Sequence, residues 1–289
     1  MRNRVILVQR IYKQAVVKAK PSTLNWSVSF ILSLGLTLGW IIEAQAETPE
    51  TAPSQLKNAI AQIDAAANSR DFNVVRQFYS NGFRNSDGLT LSSMKPALTQ
   101  LWERYSQLNY RTEIQSWENE GNAVIAETIT YITGTEVDNG REIKLESTVR
   151  SRQRFENEKI VEQEIISEST KLTSGENPPS VEVNLPEQVR TGQQYNFDVI
   201  VKEPLGNDIL LGAAWEEPIQ ANRYTKPEEF ELEVLPAGGV FKLGRAPFKE
   251  GGRWLSAVLI RKDGMTMVTE RLQFVHPDSG VKRDGGMGR

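Results

Sequence analysis

Apolar positions recur along the 289-residue chain with three different periods, and each period implies a different kind of structure. The stretch 26–42 (WSVSFILSLGLTLGWII) is continuously apolar and uncharged. From Ser54, which can cap a helix, Leu56, Ile60, Ile63 and Ala67 fall at i, i+4, i+7 and i+11 on one helical stripe. A second short helix is predicted after Asp71, with Phe72, Val75, Phe78 and Tyr79 on its apolar side and Asn81-Gly82 at its end. A third runs from about Ser93 to Tyr105, tolerating Pro96 in its first turn, with Leu98, Leu101, Trp102 and Tyr105 on one face.

Beyond Tyr105 the period shortens to two. Four strands are predicted at 110–117, 123–133, 142–155 and 159–170, and Asn139-Gly140 is the strongest hairpin signal between them. In the third of these, Ile143, Leu145, Ser147, Val149 and Phe155 alternate with Lys144, Glu146, Arg150, Arg152, Arg154 and Glu156, so one face is covered and the other is wet or paired. The polar stretch 173–180 reads as a linker. Seven short strands follow, at 181–185, 195–202, 209–215, 230–235, 240–243, 254–261 and 265–274, a spacing that predicts an antiparallel sandwich.

The amino-terminal residues change the picture of where this chain resides. Arg2, Arg4, Arg10, Lys13, Lys18 and Lys20 precede the apolar run, and Ala44 and Ala46 supply the small residues that a signal peptidase requires. The expectation is export to a periplasm or a thylakoid lumen after cleavage behind Ala46; the alternative is an anchor formed by residues 26–42. Removing residues 1–46 takes away six bases and one acid, so the net charge of −3 becomes −8. A chain this acidic does not suit nucleic acid. With no cysteine and a single histidine, His276, the commonest nucleophilic, metal-ligand and near-neutral acid–base mechanisms are excluded. No cofactor and no metal are expected.

The order helix, short helix, helix, long antiparallel meander, together with Phe78-Tyr79-Ser80-Asn81-Gly82-Phe83-Arg84-Asn85-Ser86-Asp87-Gly88, resembles the nuclear transport factor 2-like (SnoaL-like) family over roughly residues 54–172. The strand pattern that follows resembles immunoglobulin-like sandwiches, without their cysteine pair. The whole arrangement is similar to exported cyanobacterial proteins. These resemblances imply an α+β cone, helices packed on a curved antiparallel sheet, followed by an all-β immunoglobulin-like sandwich. The domains expected are a leader at 1–46, a spacer at 47–54, the cone at 55–172, the linker at 173–180, the sandwich at 181–275 and a disordered tail at 276–289.

Cone folds enclose a pocket, which Tyr79, Phe83, Trp102, Tyr105, Trp117 and Tyr131 would line for a small apolar or aromatic ligand, or simply fill as core. Enzymes resembling this fold, the ketosteroid isomerases and limonene-epoxide hydrolases, use an Asp base with a Tyr or Asp donor. The candidates of that type here are Asp87, Asp71 and Tyr79, with Arg150 or Arg152 as a complement. Local duties compete for both acids, since Asp71 sits at a helix cap and Asp87 precedes Gly88 in a turn. Arg150, Arg152 and Arg154 share one side of a strand, a surface for solvent, an anionic partner or a second copy. Glu216-Glu217 and Glu228-Glu229 lack the alternating loop of a calcium site, and loop 218–227, with Arg223 and Tyr224, is a candidate protein contact. The functional expectation is a non-catalytic binding or assembly module that holds a small ligand or forms a homodimer through the cone sheet; the alternative is a metal-free isomerase or hydrolase.

Overall fold

The computed structural model describes residues 46–276 apart from 139, 207, 227–229, 236 and 237. The apolar run 26–42, Ala44 and residues 277–289 lie outside the described residues. Among the described residues no helix is long and apolar enough to cross a membrane.

The first half contains α1 (Ser54–Asn68), α2 (Phe72–Val75), β1 (Tyr79–Asn85), α3 (Leu91–Arg104), β2 (Gln107–Glu120), β3 (Ala123–Asp138), β4 (Arg141–Glu156) and β5 (Lys159–Gly175). Leu56, Ile60 and Ala67 of the α1 stripe are buried. The Asp71 carboxylate caps α2 by accepting from Asn73 N at 2.9 Å and Val74 N at 3.2 Å. Thr90 and Ser93 form a reciprocal cap at the start of α3. Residues expected to form a spacer pack instead: Glu47 exchanges backbone hydrogen bonds with Trp117, whose indole Nε1 donates to Thr51 Oγ1 at 3.0 Å.

Asn81-Gly82 does not end a helix. The helical backbone stops at Phe78, and 79–85 becomes β1, paired in parallel with β5. Ser80, Asn81 and Gly82 are poor helix formers, and the free edge of β5 offers hydrogen bonds that another helical turn would forgo. Phe83 is thereby 3% exposed against the underside of α1 and α3.

The second half contributes β6 (Val181–Asn184), β7 (Gln188–Arg190), β8 (Gln194–Val201), β9 (Leu211–Pro218), β10 (Glu233–Val234), β11 (Gly239–Arg245), β12 (Gly251–Arg261) and β13 (Gly264–Val275). Here the expected architecture is overturned. Instead of an α+β cone followed by an immunoglobulin-like sandwich, the chain builds one ten-stranded sheet, mostly antiparallel, in the order β10-β9-β12-β13-β5-β4-β3-β2 with β1 and β7 attached beside β5 and β13. The seam is β13 against β5, with Gly264–Glu270 opposite Ser169–Gly175. Thr173-Ser174-Gly175, read as linker, is therefore the end of β5. A strand that long exposes a full edge, and pairing it across some 100 residues satisfies backbone groups that a linker would leave to water.

Two layers cover this sheet at opposite ends. Helices α1 and α3 pack on β2–β5 over Ile160, Ala126, Phe155 and Trp117. The three-stranded sheet β11-β8-β6 packs on β12 and β13, enclosing Phe197, Val199, Leu255, Leu259 and Leu272, each no more than 2% exposed. Burying side chains of this size contributes roughly 1.5–3 kcal/mol apiece.

Candidate functional site

Strand β5 is flanked on one edge by two partners in succession. Strand β1 pairs with it as far as Gln163, and β13 begins at Ser169, leaving 164–168 without a strand on that side. Side chains bridge this gap. Ser86 Oγ accepts from Ile165 N at 3.1 Å, and Gln273 Nε2 donates to Ile165 O and Ile166 O at 3.0 Å each.

In the gap sits a buried charge cluster. Arg271 donates from Nη1 to Asp87 Oδ1 at 2.9 Å and from Nη2 to Asp87 Oδ2 at 2.7 Å, a bidentate pair with both side chains 3% exposed. Nη2 also reaches Glu168 Oε2 at 3.0 Å, which accepts from Trp254 Nε1 at 2.9 Å. Tyr224 donates its hydroxyl to Asp87 Oδ2 at 2.5 Å and stands edge-on to Trp254, centroids 5.0 Å apart. Ser86 Oγ donates to Asp87 Oδ1 at 3.1 Å. Two carboxylates thus share one guanidinium, whose Nε is buried without a partner.

Burial pushes the Asp87 carboxyl upward, but the Arg271 guanidinium and the Tyr224 and Ser86 hydroxyls outweigh it, leaving the group below its ordinary value. Burial likewise pulls Arg271 down, and Asp87 and Glu168 more than restore it. The Tyr224 hydroxyl is pushed well above its ordinary range by burial and by Glu168 and Asp87. An acid held ionised by a bidentate arginine has little basicity left, so this arrangement suits a structural clamp better than a proton acceptor.

The sequence-derived candidates disperse. Asp87 lies in the clamp, and Asp71 serves α2. Tyr79 packs edge-on against Phe83 with centroids 4.8 Å apart. Its hydroxyl is raised to about 12, by burial first and then by Asp64, an α1 acid that sequence reasoning passed over. The Asp64 carboxylate is held in turn by Thr112, from N at 2.6 Å and from Oγ1 at 2.7 Å. Phe83 and Trp117 belong to the core under α1, Trp102 to a neighbouring cluster with Tyr110, and Tyr105 is 3% exposed where α3 ends. Tyr131 lies on the opposite face of β3, under the Arg111 guanidinium at 4.4 Å. Two open grooves do not draw on any of these six rings: one of about 620 Å³ between α3 and residues 221–225, and one of about 530 Å³ over Leu108, Gly134 and Leu145.

Among the described residues no cluster of three or more His, Asp or Glu is placed to hold a metal. Glu216 accepts from Tyr195 at 3.1 Å, Glu217 accepts from Trp215 at 3.3 Å, and 228–229 lie outside the described residues. Ala46 is exposed immediately before the Glu47 bridge. Of the clamp, Glu168, Arg271 and Trp254 carried no local signal, and Tyr224 was noted only as a loop residue.

One acid behaves oppositely to Asp87. Glu270, beside the clamp on β13, is raised to about 7 by burial first and then by Glu168 and Glu187, against a hydrogen bond from Ser169 at 2.8 Å. A raised carboxyl binds a proton more tightly in the folded chain, so between its unfolded value of 4.5 and about 7 stability falls as pH rises, and stays low above that. Glu270→Gln is therefore expected to melt higher than the parent at pH 8, by an amount corresponding to on the order of 1 kcal/mol after solvent screening. The advantage should vanish near pH 4.5; equal melting at both pH values would refute it.

Comparison with known proteins gives little beyond this geometry. A family of domains of unknown function, DUF8623, matches residues 176–275. No curated protein matches the chain. Solved structures similar to part of it include Bd1075 of Bdellovibrio bacteriovorus (14% identity, 38% of each chain covered, TM-score 0.29). A loop-truncation variant of IdmH matches at 15% identity over 38% of this chain and 90% of that one, TM-score 0.29. An LEH-like epoxide hydrolase of M. tuberculosis matches at 13% identity over 38% and 80%, TM-score 0.27. The match thus spans 38% of the length of Bd1075.

Proposed function

We propose that this chain is a non-catalytic assembly module of an exported protein, forming a homodimer through the face of β2–β5 turned away from the helices. The observation that carries the non-catalytic part is Asp87: the acid best suited to be a base in the sequence commits both oxygens to Arg271. Asp71 is likewise committed to its helix cap.

The register supports the dimer. Strand by strand, that face presents Glu118 and Glu120 on β2, Ile125, Glu127 and Ile129 on β3, Arg150, Arg152 and Arg154 on β4, and Glu162 and Glu164 on β5. Acidic, apolar, basic and acidic stripes therefore run side by side. Within one chain Arg152 reaches Glu118 at 2.6 Å, and Arg154 reaches Glu156 at 2.8 Å and also Glu120. A two-fold axis lying in the plane of the interface and parallel to the strands can set the basic stripe of one copy over an acidic stripe of the other, exchanging partly solvated pairs for desolvated ones.

Sedimentation velocity on Arg150→Glu/Arg152→Glu tests the reading. The parent is expected to sediment as a dimer at low salt and to dissociate near 1 M salt, where charge interactions are screened within about 3 Å. The double variant should be a monomer throughout. A parent that stays monomeric at every salt concentration would sink the dimer. Turnover of an epoxide or ketosteroid, abolished by Asp87→Asn in a folded chain, would sink the non-catalytic reading.

A further inference from the structure

Strand β10 ends the ten-stranded sheet: β9 pairs with one side of it, and among the described residues no strand pairs with the other. The chain entering it alternates. Phe230, Leu232 and Val234 are 40%, 46% and 62% exposed, and Glu231 and Glu233 between them are exposed as well. The Phe230 ring stacks on Trp215 with centroids 4.3 Å apart, which puts the apolar set on the face of β9 that carries Leu211 and Trp215. By register that row runs on across the sheet as Val234, Leu211, Ile260 and Met265.

We propose that this edge receives an extended segment of a partner protein in which apolar residues alternate with Lys or Arg. An unpaired strand edge is a template for another strand. Its apolar side chains would continue the row, and its basic ones would meet Glu231 and Glu233.

A second copy fits poorly, for a reason of charge. Antiparallel two-fold pairing that keeps the apolar faces aligned and is centred on Leu232 sets Glu231 opposite Glu233 of the other copy. Centring on either glutamate sets it opposite itself. Like charges directly across a strand pair are destabilising. The other end of the sheet is guarded differently: β2 carries Arg111, Glu113, Glu118 and Glu120 along its length, the usual defence of an edge. The β10 proposal is independent of the dimer face, which lies on other strands.

Fluorescence anisotropy with two labelled peptides tests it, Val-Lys-Ile-Arg-Val-Lys-Ile and its counterpart with Glu at the three basic positions, titrated with the full chain. The basic peptide is expected to bind in the tens of micromolar range and the acidic one at least about tenfold more weakly. Glu231→Lys/Glu233→Lys, two exposed positions, should reverse that order while circular dichroism and melting stay unchanged. Leu232→Lys should weaken both peptides. Equal binding of the two peptides, no binding of the basic one at about 1 mM, or unchanged preference in the charge-reversed variant would each overturn the proposal. So would self-association of the parent that Leu232→Lys abolishes, since that places a second copy on this edge.

Discussion

Arg271→Met is expected to destabilise the fold by about 3–5 kcal/mol, the usual penalty for removing one partner of a buried ion pair. The guanidinium is 3% exposed and satisfies two carboxylates at once, so its loss leaves Asp87 as a buried charge supported by Tyr224 and Ser86, and Glu168 as a half-buried one supported by Trp254. In a chain of this size that corresponds to a fall in Tm of about 6–20 °C. The pH dependence should change sign as well. In the parent, Asp87 lies below its ordinary value, so its stabilisation is present above the unfolded pKa and is lost only as pH falls through the folded one. Without Arg271, burial dominates and raises that carboxyl, so the variant should become less stable as pH rises from about 4 to 7. Adding Asp87→Asn should recover much of the loss, because a neutral amide can still accept from Tyr224. Thermal melts of the parent and the two variants across pH check this. Arg271→Met melting within a degree of the parent would mean that the clamp holds nothing together.

Gly175→Ala should rank next. Gly175 closes the seam opposite Gly264 with φ +97°, and an added Cβ would lie 2.4 Å from Asp263 O and 2.7 Å from Gly264 Cα. Both contacts are backbone, so no side chain can swing aside. The left-handed strain alone costs about 1–2 kcal/mol, and the clash should bring the total to roughly 3 kcal/mol. Gly121→Ala provides the control: its φ is +62° but nothing lies within 4 Å of the added carbon, so only the strain should be felt. Comparable losses at the two positions would show that the close approach of β5 and the β12–β13 turn is not what restricts Gly175. Amide exchange should speed up in 264–270 and 169–175 in the Gly175 variant.

Local structure in this chain was largely legible. The helical stripe of α1, the Asp71 cap and the alternation in β2 to β5 come from side-chain spacing and short-range hydrogen bonding, and the strands extend only a few residues past their expected ends. Strand β1 was misread because its residues argue against a helix but do not say which edge will take them. The site was half legible. Asp87 stood out as an acid in a turn, and the same turn chemistry gave a reason to discount it. Its partners lie 184 and 137 residues away at Arg271 and Tyr224, where an arginine in an alternating strand and a tyrosine in a loop look like any others.

By itself the amino-acid sequence determined most of the element types, the acidic character of the chain and the poverty of reactive side chains, because periodicity, formal charge and composition are properties of neighbours and sums. Only the tertiary structure decided that the two halves share one sheet, that Asp87 answers to Arg271, and that β10 is left, among the described residues, with an open apolar and acidic edge. Those outcomes depend on which strand edges meet across some 100 residues, and many pairings satisfy the same local pattern.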